Sequence, residues 1–266
     1  MLKQKVFKIC IVFILLSGCA IVPISERRQL SLVPQAQLLS LSEDNYQQIL
    51  NQSTISANAK KTQMVVDVGK KIAASAEEFL RENGLEQEIK NYNWKFNLVE
   101  DDTTINAFCM PGGKVVVYTG ILPIAQDENG LAVIMGHEVA HAIANHGGER
   151  MTHLLLVQLG GKTLSEALKN SPEKTTQLLM TAYGVGSNLG FILPYSRVHE
   201  READRIGLII MARAAYDPRT AIPFWQRMSK QEGKMFPEFL STHPTTERRI
   251  EEIRSLIPEA LTYYKK

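Results

Sequence analysis

Apolar residues take up a helical pattern in the first third of the chain, after a weakly patterned start. Residues 20–53 contain two prolines and only short apolar runs, which indicates a tether with a short helical piece near 46–50. From 56 to 83, apolar side chains recur every three or four positions up to the stop at Gly84, so a long amphipathic helix is predicted. The periodic apolar residues are Met64, Val65, Val68, Ile72 and Phe79.

The middle of the chain carries strand patterns instead. Residues 94–99 alternate between larger apolar and polar side chains, which is typical of a half-buried strand. The runs at 105–110 and 115–119 flank a Pro-Gly-Gly turn at 111–113, and this arrangement predicts a hairpin. A small sheet is therefore expected here.

Helical patterns return in the remainder of the chain. Asp127 can cap the first of these helices, and a glycine pair at 147–148 ends it. One short sheet in a mostly helical chain is typical of the α+β class. The predicted helices lie at about 128–146, 151–168, from Pro172 onward, 195–214, from Pro218 onward and 246–256.

The first eighteen residues have the pattern of an export signal. Three lysines precede an apolar run at 9–16, which is too short to span a bilayer permanently. The Leu-Ser-Gly-Cys ending at 16–19 resembles the bacterial lipobox, so Cys19 is expected to carry a lipid; an ordinary signal peptide with an incidental cysteine is the alternative. The predicted divisions are a lipoprotein signal peptide at 1–18, a lipidated tether at 19–53 and a folded domain at 54–266.

Charge and cysteine content argue against a nucleic-acid-binding protein and against a protein stabilised by a disulfide. Loss of the three signal lysines lowers the nominal charge from +2 to −1 and leaves no basic run, which argues against a nucleic-acid-binding protein. With Cys10 removed and Cys19 lipidated, Cys109 has no partner for a disulfide and is expected to be a small buried hydrophobic residue. No later apolar run is long enough to span a membrane, so attachment through the lipid alone is predicted.

The sequence His-Glu-Val-Ala-His at 137–141 carries the clearest chemistry. On a helix, His137 and His141 lie on one face and can direct two imidazoles at one Zn²⁺ ion. Glu138 lies beside that point and can accept a proton from water, which is the chemistry of a hydrolase. Two surface histidines on an ordinary helix are the alternative.

A catalytic zinc site usually needs a third protein ligand. His146 lies nine positions after His137, whereas the metzincin pattern needs ten, so His146 is interpreted as an ordinary helix-end residue. Glu200 and Asp204 share a helix face, so Glu200 can ligate zinc while Asp204 orients a ligand histidine. Glu202 points elsewhere and is expected to be solvated. An ordinary charged helix remains the alternative for this segment.

Four blocks of sequence, taken together, carry a family likeness. They are Asn-Ala-Phe-Cys-Met-Pro-Gly-Gly at 106–113 with Val-Val-Tyr-Thr-Gly at 116–120, the motif at 137–141, Ser-Arg-x-x-Glu-x-x-Ala-Asp at 196–204, and Ser-Thr-His-Pro at 241–244 with Arg249. In this order they resemble the gluzincin metalloprotease family that includes HtpX and the CAAX prenyl protease, and among its members the periplasmic lipoproteins. The resemblance implies a zincin-like fold with a small sheet beside the active-site helix.

The resemblance also implies roles for single residues. It implies one zinc ion per chain, held by His137, His141 and Glu200, with Glu138 as the base. Asp204 matches the family's aspartate residue for residue.

Three further roles follow from the same likeness. The strand at 115–118 is implied to be a sheet edge that pairs with extended substrate. His243 is implied to lie at the active site, where it caps the zinc or stabilises the oxyanion; a role in positioning its loop is the alternative. For Arg249 two readings stay open, assistance at the site and simple pairing with a carboxylate.

The implied activity is that of a zinc-dependent endopeptidase acting on unfolded or misassembled envelope proteins. Ala20 follows Cys19, which favours sorting to the periplasmic face of a bacterial outer membrane. The competing hypothesis is a zinc-stabilised chaperone or assembly factor with little proteolysis. Unfolded or misfolded proteins are the expected partners, and no oligomeric state is predicted.

Overall fold

Helices and two small sheets make up the described part of the chain. This computed structural model describes residues 19–22, 25–159, 195–231 and 238–264, together with the single residues 175 and 182. The predicted signal peptide at 1–18 lies outside these residues, as does the side chain of Cys19. Residues 160–168 of one predicted helix and nearly all of the helix predicted from Pro172 lie outside them as well. Lipidation and the domain limits therefore stay predictions.

The N-terminal segment forms a hairpin and a helix. Strand β1 (Cys19–Ile21) pairs antiparallel with β2 (Arg28–Leu30). Helix α1 (Gln35–Gln52) then packs on the larger sheet and is much longer than the piece predicted at 46–50. Its buried face includes the polar Ser42, whose Oγ donates to the Pro111 carbonyl at 2.7 Å. Polar residues on the buried face dilute the apolar pattern, which explains why only a short piece of this helix is predicted from the sequence.

Helix α2 (Ala59–Glu82) confirms the long helix predicted for 56–83. Asn58 caps it, because its side chain accepts a hydrogen bond from the Lys61 amide at 3.0 Å. A single further turn, α3 (Glu86–Ile89), leads into the larger sheet.

Three strands form the larger sheet, in the order β3, β5, β4. They are β3 (Lys95–Val99), β4 (Ala107–Met110) and β5 (Lys114–Tyr118). The pair β4–β5 is antiparallel, which confirms the predicted hairpin, and β3 pairs with β5 in parallel. Gly112 and Gly113 in the turn have φ of 76° and 78°, a conformation that favours glycine.

The prediction of a free sheet edge at 115–118 is wrong. Strand β5 lies between the two other strands, so β3 and β4 are the edge strands of this sheet. The reason is that Val115 and Val117 pack in the main core with α2, whereas Val116 packs in a second cluster with α1. A strand buried on both faces is a continuous apolar run, and that run is the signal of a central strand.

A 3₁₀ turn and three helices follow the larger sheet. After a 3₁₀ turn (Thr119–Ile121) and α4 (Leu122–Ala125), helix α5 (Glu128–Ile143) begins at its predicted cap, Asp127, and α6 (His146–Leu159) follows. The predicted end of α5 at 146 is three residues late, because Asn145 has a φ of 53° and breaks the helix.

The remaining described helices complete the core. Ser196 caps α7 (Arg197–Arg213), and Thr246 caps α10 (Glu247–Leu261). Between them lie a 3₁₀ turn (Pro218–Thr220), α8 (Ala221–Ser229) and α9 (Glu238–Thr242). The mostly helical α+β class is thereby confirmed. Among the described residues, every helix is too short or too polar to cross a membrane.

The contact between α5 and α7 positions the site. The two helices cross at Gly136 and Gly207, where a Cβ atom on Gly136 would lie 2.9 Å from the Gly207 carbonyl oxygen. Only glycine allows this close approach. It brings the residues after Gly136 on α5 against those before Gly207 on α7.

Candidate metal centre

Helix α5 presents two histidines and a glutamate to the same buried point. His137 and His141 stand one turn apart, and their side chains are 3% and 2% exposed. Their Nε2 atoms lie 3.1 Å apart. The alternative of two surface histidines is therefore excluded.

Helix α7 supplies the predicted third ligand. Glu200 Oε1 lies 3.2 Å from His141 Nε2, and its Oε2 lies 3.6 Å from His137 Nε2. The alternative of an ordinary solvated helix is excluded as well, because the Glu200 side chain is 6% exposed.

His243 follows α9 and enters the same cluster. Its Nδ1 lies 3.1 Å from His137 Nε2 and 3.0 Å from Glu200 Oε1. Its other ring nitrogen, Nε2, lies 3.3 Å from Glu138 Oε1. His243 thus touches both the ligand set and the predicted base.

The four donors fit a metal ion. Ligand atoms of His137, His141, Glu200 and His243 all lie within 4.8 Å of one another and are buried. Two ring nitrogens that face one another at 3.1 Å avoid lone-pair repulsion when a proton or a metal cation lies between them. Three imidazoles and one carboxylate are a donor set that zinc accepts in tetrahedral sites.

Asp204 and Arg249 surround the outer side of this cluster. Asp204 Oδ1 lies 3.0 Å from His137 Nδ1, the nitrogen that points away from the metal position. Arg249 donates to both oxygens of Asp204 at 2.9 Å and pairs with Glu200 Oε2 at 2.6 Å. Its guanidinium also lies over the Trp225 ring, 4.0 Å from the centroid. For Arg249 the structure therefore shows pairing with two carboxylates.

The three site carboxylates are in different electrostatic states. Burial raises the pKa of Glu138, since its neighbouring cationic groups do not compensate for lost water. Burial acts in the same direction on Glu200, but the Arg249 charge and the histidines lower its pKa well below the usual range. The pKa of Asp204 is also lowered against burial, chiefly by Arg249. Glu138 is thus the carboxylate of the three best suited to take up a proton.

The interpretation of His146 as a helix-end residue is wrong. Its side chain is fully buried at the start of α6, and its Nδ1 lies 3.0 Å from His141 Nδ1. Burial lowers its pKa to about 4, so the ring is neutral at neutral pH. The failed metzincin spacing correctly excluded His146 as a ligand but concealed its contact with one.

The expectation of a solvated Glu202 is also wrong. Its side chain is 8% exposed, and its Oε2 lies 3.0 Å from His146 Nε2. Burial would raise its pKa, but hydrogen bonds from His146, Arg27 and Ser25 lower it to about 2. Residues 27 and 202 are too far apart in sequence for any local pattern to predict this pairing.

A second buried pair lies next to Glu202. His199, which had no predicted role, places its Nε2 2.9 Å from Glu149 Oε2, and its ring stacks on His146 with centroids 4.5 Å apart. Cys109 is buried in the main core, as predicted, and burial raises the pKa of its thiol.

The known proteins that this chain resembles are proteases. The mitochondrial metalloendopeptidase OMA1 of Schizosaccharomyces pombe is 34% identical over 244 residues, which cover 90% of this chain and 66% of that protein. The mitochondrial metalloendopeptidase OMA1 of Homo sapiens is 40% identical over 182 residues, covering 65% of this chain and 34% of that protein. The β-barrel assembly-enhancing protease of Escherichia coli is 30% identical over 168 residues, covering 60% and 34%. This chain therefore spans 34% to 66% of the length of these relatives.

These relatives contradict the predicted location at the periplasmic face of a bacterial outer membrane. The Schizosaccharomyces pombe relative, which matches 90% of this chain, and the human relative are both mitochondrial proteins. The prediction depended on a short N-terminal pattern at 1–20. A basic start followed by a short apolar run does not by itself fix a compartment.

The family assignment rests on a match to a family model over most of the chain. Peptidase family M48 matches residues 67–257, a range that contains all four donor residues. This match and the donor set confirm the predicted zinc cofactor and the resemblance to the family of the E. coli protease. The chain belongs to peptidase family M48.

Proposed function

We propose that this protein is a zinc-dependent endopeptidase in which Glu138 activates the attacking water. The position of Glu138 carries the proposal. Its carboxylate is buried next to the ligand set, and its Oε1 accepts no well-aligned hydrogen bond from the described residues. A buried carboxylate with a raised pKa beside the metal position is suited to act as a general base.

The side chains divide the work of peptide hydrolysis. Zinc, when bound, supplies a Lewis acid that lowers the pKa of a coordinated water towards roughly 7. His137, His141 and Glu200 hold the metal, and Asp204 fixes the orientation of the His137 ring. Glu138 accepts the water proton and returns it to the leaving amine.

Strand β4 is the edge that suits an extended substrate. It packs beside α5, and the side of β4 away from β5 pairs with none of the named strands in the described residues. Main-chain hydrogen bonds to such an edge bind a polypeptide without demanding a particular sequence. Unfolded or misfolded protein segments are therefore the substrate class that we propose.

Replacement of Glu138 by Gln tests this function. The Glu138→Gln variant should retain zinc, because the three ligands are untouched, and should lose cleavage of an unfolded protein such as casein. Zinc content by elemental analysis and fragments by mass spectrometry are the two measurements. Cleavage at the wild-type rate by the zinc-loaded variant would remove Glu138 from its role.

His243 gives a specific reason to keep the second candidate function, a zinc-stabilised chaperone with little proteolysis. Its Nδ1 lies among the ligand atoms, and four protein donors are typical of a structural zinc site.

For the peptidase, we infer that His243 takes the fourth position at the metal in a resting state and leaves it when substrate binds.

Truncation of His243 separates the two functions. If His243 blocks the fourth position, the His243→Ala variant should keep zinc and should cleave short unstructured peptides faster than the wild type does. A chaperone with a structural zinc site should instead lose zinc or stability and stay inactive on such peptides. Zinc content and peptide cleavage, measured on the same preparation, decide between them.

A further inference from the structure

A buried chain of polar side chains leads from the zinc ligand His141 to the N-terminal segment. His146 contacts His141 through Nδ1 at 3.0 Å and contacts Glu202 through Nε2 at 3.0 Å. Arg27, just before β2, donates its Nε to the two oxygens of Glu202 at 3.0 and 3.2 Å. We propose that Arg27, Glu202 and His146 form a relay that positions His141 for zinc binding and makes the N-terminal segment part of the metal site.

One arrangement of protons along this relay is compatible with zinc binding. A ring nitrogen that faces a carboxylate carries a proton, so His146 donates from Nε2 to Glu202. In the neutral ring the Nδ1 atom of His146 then keeps its lone pair and accepts the Nδ1 proton of His141. This leaves the Nε2 lone pair of His141 directed at the metal position, as ligation requires.

The relay differs from ordinary packing because it selects a tautomer. Without an acceptor at position 146, a neutral His141 ring can place its proton on Nε2, and that nitrogen can no longer bind zinc. Ser25 adds to the hold on Glu202, since its hydroxyl donates to Oε1. His146 and Glu202 are thus positioning residues that act through His141 rather than on substrate.

The N-terminal segment also forms hydrogen bonds with this region beyond Glu202. Arg27 donates to the two oxygens of Glu149 at 2.9 and 2.8 Å. Gln29 donates from Nε2 to the Ala144 carbonyl at 2.9 Å, directly after the last turn of α5. The segment therefore binds both the relay and the end of the helix that carries His141.

Zinc affinity of full-length variants tests the relay. Loss of a group that orients a metal ligand typically weakens metal binding about 10–100-fold, and His146→Leu should do so. The His146→Gln variant should bind zinc almost as tightly as the wild type, because its amide offers an acceptor to His141 and a donor to Glu202. The dissociation constant is measured by competition with a chromophoric chelator. His153, exposed on the same helix, provides the control His153→Leu, which should bind as the wild type does.

Two results would overturn the relay. One is a folded His146→Leu variant with wild-type affinity for zinc. The other is a His146→Gln variant as weak as His146→Leu, which would mean that only the shape of the imidazole matters. Circular dichroism of the zinc-free proteins verifies that each variant is folded.

A second pair of variants tests the part of the N-terminal segment and does not depend on the folding of His146→Leu. Arg27 is partly exposed, and its neighbour Arg28 is exposed. The Arg27→Gln variant should bind zinc more weakly than Arg28→Gln, by less than His146→Leu loses, since Glu202 is still present. Equal affinities would contradict the role of the segment. Because the readout is metal binding, these results hold whether or not the protein proves to be a peptidase.

Discussion

The two histidines of α5 have the same place in the metal cluster but different support. His137 contacts the Asp204 carboxylate directly, at 3.0 Å, and Arg249 holds that carboxylate from α10. His141 contacts another imidazole, and the carboxylate of Glu202 lies one residue further out. On each side the contacts run from the ligand histidine to a carboxylate and then to an arginine. On the His141 side the ring of His146 lies between the histidine and the carboxylate.

The two arginines, Arg249 and Arg27, come from different parts of the fold and differ in how deeply they are buried. Arg249 comes from the helix that packs on α7, and its side chain is 7% exposed. Arg27 comes from the N-terminal hairpin and is 25% exposed. One ligand is therefore supported from within the core, whereas the other depends on a segment at the surface. We expect the loss of Arg249 to cost much more stability than the loss of Arg27.

The largest effect is expected from Arg249→Met. This change leaves Glu200 and Asp204 buried without their cation, and removal of one partner from a buried ion pair costs about 3–5 kcal/mol. Urea unfolding of the zinc-free protein measures the loss. The neighbour Arg248 is 77% exposed and pairs with Glu252 on the same helix, so Arg248→Met should cost less than about 0.5 kcal/mol. Similar losses for both variants would contradict the account of the His137 side.

A smaller, pH-dependent effect is expected from Arg27→Gln. The pKa values of Glu149 and Glu202 are lowered in the folded protein from 4.5 to about 2 against the effect of burial, through hydrogen bonds that include those from Arg27. Groups with lowered pKa values stabilise the fold fully above the unfolded pKa of 4.5 and lose this contribution as the pH falls through 2.

Thermal unfolding of wild type and Arg27→Gln between pH 7 and pH 2 tests this dependence. The stability difference should be about 1–2 kcal/mol at neutral pH, since the lost bonds join charged groups that are only partly buried. It should shrink as the pH falls towards 2 and both glutamates become protonated in the folded protein. A difference that stays constant down to pH 2 would mean that Arg27 stabilises the fold by packing alone.

The parts of the site that depend on local spacing in the sequence can be predicted from the sequence alone. His137 and His141 are four residues apart, and so are Glu200 and Asp204, so helix geometry alone places each pair on one face. The strand patterns likewise predicted the hairpin of β4 and β5 around its glycine turn. Such features depend on a few neighbouring residues.

The family resemblance placed Glu200 and His243 at the site, but the contacts of His146 and Glu202 behind His141 could not be predicted. Glu202 is 175 residues away from Arg27 and 56 from His146, and no local pattern joins them. The charged Glu202 therefore looked like a solvent-facing residue of an amphipathic helix. The parallel pairing of β3 with β5 was missed for the same reason, since it joins strands that are not neighbours in the chain.

Zinc titration of the metal-free protein tests the central claim most directly. One metal cluster is present among the described residues, and the proposed chemistry needs zinc at that cluster. Cleavage of an unfolded protein should be absent without zinc, should rise in proportion to added zinc and should level off at one equivalent per chain. Cleavage that persists in the metal-free protein, or a zinc-loaded protein that never cleaves, would contradict the assignment as a zinc endopeptidase.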